Sequence, residues 1–72
     1  MDKTFRLRED DEFIKLGQLL KAADLVSMGS EAKDVIAAGL VTVNGEEELR
    51  RGRKITDGDT VVYRGSTVRV TR

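Results

Sequence analysis

From Thr4 to Arg8 apolar and charged positions alternate, with Phe5 and Leu7 on one side and Arg6 and Arg8 on the other. A period of two predicts a short, half-buried strand. The period then changes. Phe13, Leu16, Leu19, Leu20 and Ala23 fall on one stripe at helical spacing, opposite Lys15, Gln18, Lys21 and Ala22. Glu9 to Glu12 precede that stripe, and acidic side chains favour the positive end of a helix dipole. A first helix is therefore expected to start there and to stop near Asp24 or Leu25. Ile14 lands on the outer arc and interrupts the stripe. Gly17 inside the helix costs up to ~1 kcal/mol relative to alanine and signals the close approach of another chain.

A second helix is expected over about Ser30 to Ala38, capped by Ser27 or Ser30. Ala32, Val35 and Ile36 form its apolar face, and Gly39 stands where a left-handed cap belongs. The rest reads as strand and turn. Leu40 to Val43 runs into Asn44-Gly45, the dipeptide best suited to a type I′ hairpin turn. Asp57-Gly58-Asp59 forms a turn into a strand over Thr60 to Arg64, and Gly65 turns the chain into another over Thr67 to Thr71. The fold class is α+β, two short helices packed on a small antiparallel sheet.

Composition narrows the chemistry. The 72 residues allow one domain, taken as residues 1–72. No cysteine or histidine is present, which removes disulfides, thiolate sites, the commonest general base and the commonest metal ligand. No apolar run approaches the roughly 20 residues of a membrane helix, and MDKTFRLRED lacks the apolar core of a secretory signal. A soluble, cytoplasmic protein without catalysis, cofactor or metal is expected. Ser27, Ser30 and Ser66 read as cap or turn residues, and the pairs Asp10–Asp11 and Glu46–Glu48 as solvated acids.

The formal net charge is zero, with 13 Lys/Arg balancing 13 Asp/Glu, but the two signs are unevenly placed. Residues 1–49 carry six basic and eleven acidic side chains, and residues 50–72 carry seven and two. A neutral total therefore leaves room for a polyanionic partner. Arg50, Arg51, Arg53 and Lys54 surround Gly52, where a loop or bulge would gather the four cations on one edge. Arginine forks match phosphate oxygens, and lysine adds a point charge. The same run would also suit an edge strand guarded by charge. Lys15, Lys21 and Lys33 join it only if the helices and the loop share a face. With Phe5 and Phe13 at core positions, Tyr63 alone could stack on a base, so folded RNA read by shape and backbone is favoured over single strands.

The order of these pieces resembles the small RNA-binding domain named after the fourth protein of the small ribosomal subunit, also called the αL RNA-binding motif. The resemblance covers about residues 13–64. It is carried by Ser30-Glu31-Ala32-Lys33 with Ile36, then Gly39, Val41, Val43-Asn44-Gly45 and Gly58-Asp59-Thr60-Val61. Glu12 to Leu16, Leu19 to Lys21, Glu48 and Arg50 to Gly52 further resemble its stand-alone bacterial branch. The resemblance implies binding of structured RNA through the helical corner and nearby basic residues. It puts the family's first-helix basic residue on Lys15. The acidic residue two positions on is Gly17 here, and the arginine that commonly opens the second helix is Gly29. Weight shifts to Lys15, Lys21, Lys33 and the loop with Arg50, Arg51, Arg53 and Lys54.

The leading expectation is a monomeric, non-catalytic module for structured RNA, ribosomal RNA or its precursor, with ribosomal or RNA-modifying proteins as further partners. Two other readings stay open. In one, the basic loop docks on an acidic protein. In the other, the chain lends RNA affinity to a separate RNA-modifying enzyme.

Overall fold

The computed structural model describes residues 2–72. Strand β1 spans Asp2–Arg6, β2 Ile14–Lys15, helix α1 Leu16–Ala22 and helix α2 Gly29–Ala37. Strands β3 (Val41–Val43), β4 (Glu46–Glu47), β5 (Lys54–Ile55), β6 (Thr60–Tyr63) and β7 (Ser66–Thr71) complete the chain. The main sheet has the order β1-β7-β6-β3-β4, and β2 pairs with β5 in a separate two-stranded ribbon. All pairings are antiparallel except β1 with β7, which brings the two ends of the described chain side by side in parallel.

Both hairpins of the sheet turn on left-handed pairs. Asn44 (φ 53°) and Gly45 (φ 85°) join β3 to β4, and Arg64 (φ 52°) and Gly65 (φ 77°) join β6 to β7. Two residues at positive φ make the type I′ geometry that matches strand twist. Asn44 does more than turn. Its Nδ2 donates to Asp59 Oδ1 at 2.9 Å, and its Oδ1 accepts from the Thr60 backbone N–H at 2.9 Å. The Val-Asn-Gly and Gly-Asp-Thr-Val segments thus brace each other.

Both helices end in the same motif. In α1 the N–H of Asp24 bonds Lys21 O and that of Leu25 bonds Leu20 O, with Asp24 left-handed at φ 62°. In α2 Gly39 and Leu40 make the matching bonds to Ile36 and Val35. These paired bonds satisfy last-turn carbonyls that would otherwise be orphaned. Lys3 Nζ adds a bond of 2.8 Å to Ala23 O.

The start of α1 departs from expectation. Ile14 and Lys15 form β2, so the acidic run Glu9–Glu12 lies outside the helix. The reason is long-range: Leu16 N–H donates to Arg53 O at 2.8 Å and Gly17 N–H to Arg51 O at 3.0 Å. Carbonyls from the basic loop replace a side-chain cap. As a strand residue Ile14 turns inward and packs on the core, while Phe13, expected in the core, is exposed. In α2 the N-cap is Met28, not Ser27 or Ser30. The Ser27 N–H instead donates to Glu31 Oε1 at 2.9 Å.

One core lies between the helices and the sheet. Leu16, Leu19 and Leu20 of α1 and Ala32 and Ile36 of α2 pack with Val41, Val61, Val68 and Val70 of the sheet and Ile55 of the ribbon, all essentially inaccessible. Truncating any of the large members to alanine would cost about 2–5 kcal/mol. Tyr63, expected as the free aromatic, is buried at 4% exposure and cannot receive a base.

Candidate nucleic-acid interface

The basic loop between β4 and β5 is organised by one carboxylate. Glu48 is 6% exposed although it belongs to a run of three glutamates. Its Oε2 accepts from the Arg50 backbone N–H at 3.1 Å and from Arg50 Nε at 3.0 Å. Its Oε1 accepts from Arg53 Nη1 at 2.7 Å. These charge-assisted bonds, led by Arg50 and followed by Arg53, outweigh burial and hold the Glu48 carboxyl at a pKa of about 2, down from 4.5. Glu48 is therefore not a solvated acid, and a turn closed by Arg53 N–H on Arg50 O at 3.2 Å folds around it.

The four cations of this loop consequently take three different roles. Arg50 and Arg53 bind Glu48, yet Arg50 keeps 75% of its side chain exposed and Arg53 34%. Arg51 leans the other way, over α1. A Cβ built on Gly17 would stand 2.6 Å from Arg51 Cγ, so the glycine makes room for the arginine stem. The approaching chain expected from Gly17 is this segment. Lys54 points across β2, with Nζ 4.9 Å from the centre of the Phe13 ring.

Two open depressions result. The first, about 400 Å³, is lined by Lys15, Gly17, Gln18, Lys21, Gly29, Arg51 and Gly52. The second, about 510 Å³, is lined by Arg50, Gly52, Arg53 and Lys54. Gly52 belongs to both, so the cationic surface is continuous from α1 to β5. A Cβ on Gly29 or Gly52 would meet nothing within 4 Å, so these two glycines keep its rims low enough for a bulky anion to approach. Among the described residues the ion pairs are those of Glu48 with Arg50 and Arg53. Lys15, Lys21 and Arg51 therefore present uncompensated charge.

Six of the seven basic positions singled out from the sequence line this surface. Lys33 does not line either depression. It lies one turn beyond Gly29 on the same side of α2, since helical positions four apart are neighbours. Glu48, expected as a solvated acid, is the residue whose organising role sequence reasoning missed. The family resemblance includes Glu48, but composition does not announce its burial, which follows from where β3 and the arginine turn meet.

The S4 domain family model matches residues 5–71. Among curated proteins, the "Probable ribosome maturation protein RlbA" of Bacillus subtilis (strain 168) is 46% identical over 56 residues, 78% of this chain and 79% of that protein. YbcJ of Escherichia coli (strain K12) is 40% identical over 57 residues, 79% of this chain and 81% of its own. The solution structure of YbcJ from E. coli, described as having an αL motif involved in RNA-binding, superimposes with a TM-score of 0.71 at 38% identity. That superposition covers 96% of this chain and 86% of the other. With the helical corner, the braced Val-Asn-Gly turn and a match over nearly its whole length, the chain belongs to the S4 domain family.

Proposed function

We propose that this chain is a non-catalytic module that binds structured RNA, ribosomal RNA or a ribosome-assembly intermediate. The observation that carries this reading is the continuous cationic surface: Lys15, Lys21 and Arg51 line one depression, and Arg50, Arg53 and Lys54 line the next. The names of the relatives, ribosome maturation for one and αL-motif RNA binding for the other, support the same reading. Phosphate contacts from the unpaired Lys15, Lys21 and Arg51, joined by the exposed part of Arg50, supply affinity and register, and the form of the depressions selects shape. Binding belongs to the cytoplasm, where ribosomal or RNA-modifying proteins are further partners, and one copy suffices. No helix among the described residues is long and apolar enough to cross a membrane.

The test is fluorescence-monitored titration of a structured ribosomal RNA fragment at two salt concentrations, with a DNA duplex of equal length as control. Preference for the RNA, weakening with salt, is expected. No RNA binding at low salt, with retention of an acidic protein after nuclease treatment, would reassign the surface to a protein partner.

A further inference from the structure

Met28, Leu49 and Phe13 are exposed apolar side chains bordering the basic surface, and of the three only Phe13 carries a ring. It is 37% exposed and is not among the apolar side chains packed on the core. The ribbon sets Ile14 opposite Ile55 and Lys15 opposite Lys54. Side chains alternate along a strand, so turning Ile14 and Ile55 inward turns Lys15 and Lys54 outward together, and Phe13, one residue before β2, lies on their side with its ring under the Lys54 ammonium. Lys15 lines the first depression and Lys54 the second. The ring lines neither depression itself, but it borders the second through Lys54 and stands two residues before Lys15 of the first.

A single exposed apolar side chain needs no explanation. An exposed ring set among cations aimed at phosphate is different, because it matches how proteins hold splayed-out bases: stacking on an aromatic face with the backbone gripped nearby. In this structure one ring face is occupied by the Lys54 ammonium, 4.9 Å from its centre. That contact is worth little in water, about 0.5–1 kcal/mol at exposed sites. A phosphate beside the stacked base offers the lysine a stronger partner. Bases within a continuous A-form helix cannot reach the ring.

Resting on the RNA reading above, we propose that Phe13 is a stacking platform for one unpaired base. The preferred ligand is then a helix interrupted by a bulged or flipped-out nucleotide, with Lys15 and Lys54 on the phosphates to either side.

The experiment compares two RNA hairpins of one stem sequence, fully paired or carrying a single unpaired 2-aminopurine. The protein is expected to bind the interrupted hairpin roughly tenfold more tightly and to quench its fluorescence, in line with base–aromatic stacking. Phe13→Leu keeps the position apolar; it should remove both the preference and the quench while leaving affinity for the paired hairpin unchanged. Phe13→Trp should restore the preference, and as the chain's sole tryptophan it should itself be quenched on binding. Equal affinity of the wild type for both hairpins, or a preference that survives Phe13→Leu, overturns the stacking role and leaves the RNA reading intact. Failure to bind either hairpin at low salt overturns both.

Discussion

Arg51 and Gly17 are fitted to each other twice, once through backbone and once through side chain. Gly17 N–H donates to Arg51 O at 3.0 Å, and the arginine stem occupies the space a Cβ on Gly17 would need, 2.6 Å from Cγ and 3.2 Å from Cδ. The helix start and the aim of the guanidinium are therefore one structural decision. Gly17→Ala gains up to ~1 kcal/mol in helix propensity. It also forces the Arg51 side chain aside, while Arg51 O, 3.7 Å from the new Cβ, stays in ordinary contact. The expected result is stability within about 1 kcal/mol of wild type by urea unfolding, together with weaker RNA binding. Weaker folding with unchanged binding would mean that the aim of Arg51 does not matter.

Glu48 makes the loop sensitive to acid. Its folded pKa of about 2 lies below the ordinary 4.5, so the ionised form is favoured by folding. The stabilisation is fully present above pH 4.5 and is lost as pH falls from there towards 2. Glu48→Gln should remove this part of the acid dependence. It should also cost about 1–3 kcal/mol at neutral pH by weakening hydrogen bonds to two arginines. Urea titrations of both proteins at pH 7 and pH 3 check this: the gap between them should narrow at the lower pH.

Much of the fold was legible because its signals are local. Asn44-Gly45 and Gly39 announce backbone conformations that any neighbours would have to respect, and each is observed at positive φ. Ile14 and Lys15 were misread because their partners, Ile55 and Lys54, lie some forty positions away. Phe13 happens to stand three residues before Leu16 and so mimics a helical stripe, although the helix begins only at Leu16. The basic cluster was legible as composition, whereas its division into anchored Arg50 and Arg53, outward Arg51 and ring-bound Lys54 was not. That division depends on a glutamate whose burial composition does not announce, although the family resemblance includes it.

The same division predicts unequal effects of charge removal. Lys21→Gln and Arg51→Gln each delete an uncompensated cation from the first depression. Each should lower affinity and reduce the slope of log affinity against log salt by about 0.9, the value for one phosphate contact on a duplex. Lys33→Gln should change the slope less, because Lys33 lies outside both depressions. Arg53→Gln should act differently again, lowering stability through Glu48 in addition to binding. Salt titrations beside thermal unfolding separate the two classes. Equal slope losses for Lys33 and Lys21 would move the site along α2.

Arg64 holds a left-handed conformation, φ 52°, that costs a side-chain-bearing residue roughly 1–2 kcal/mol. The Asn-Gly pair is the preferred occupant of such a turn and already serves at Asn44-Gly45. Arg64→Asn should therefore stabilise the protein by about 0.5–1 kcal/mol. A 1 kcal/mol gain raises the melting temperature of a domain this size by roughly 4–8 °C. The cation–π contact that would be lost, 5.8 Å from the Tyr63 ring centre, is long and its cation is exposed, so it does not offset that gain. A lower melting temperature would show that Arg64 contributes more through Tyr63 than its backbone costs.

Gly29 offers a test by addition. It opens α2 and lines the first depression, and a Cβ there meets nothing within 4 Å. Its backbone is not left-handed, so a side chain brings no strain. An arginine at this position would rise from the helix start into a depression already lined by Lys15, Lys21 and Arg51. Gly29→Arg is expected to tighten RNA binding several-fold at low salt and to steepen the salt slope by about 0.9, the mark of one added phosphate contact. Folding should be unchanged or slightly improved, because glycine is the more costly residue to order. Tighter binding with an unchanged slope would point to nonionic packing against the RNA. Weaker binding would mean that the ligand comes close to α2 at Gly29 and needs the space that the missing side chain leaves.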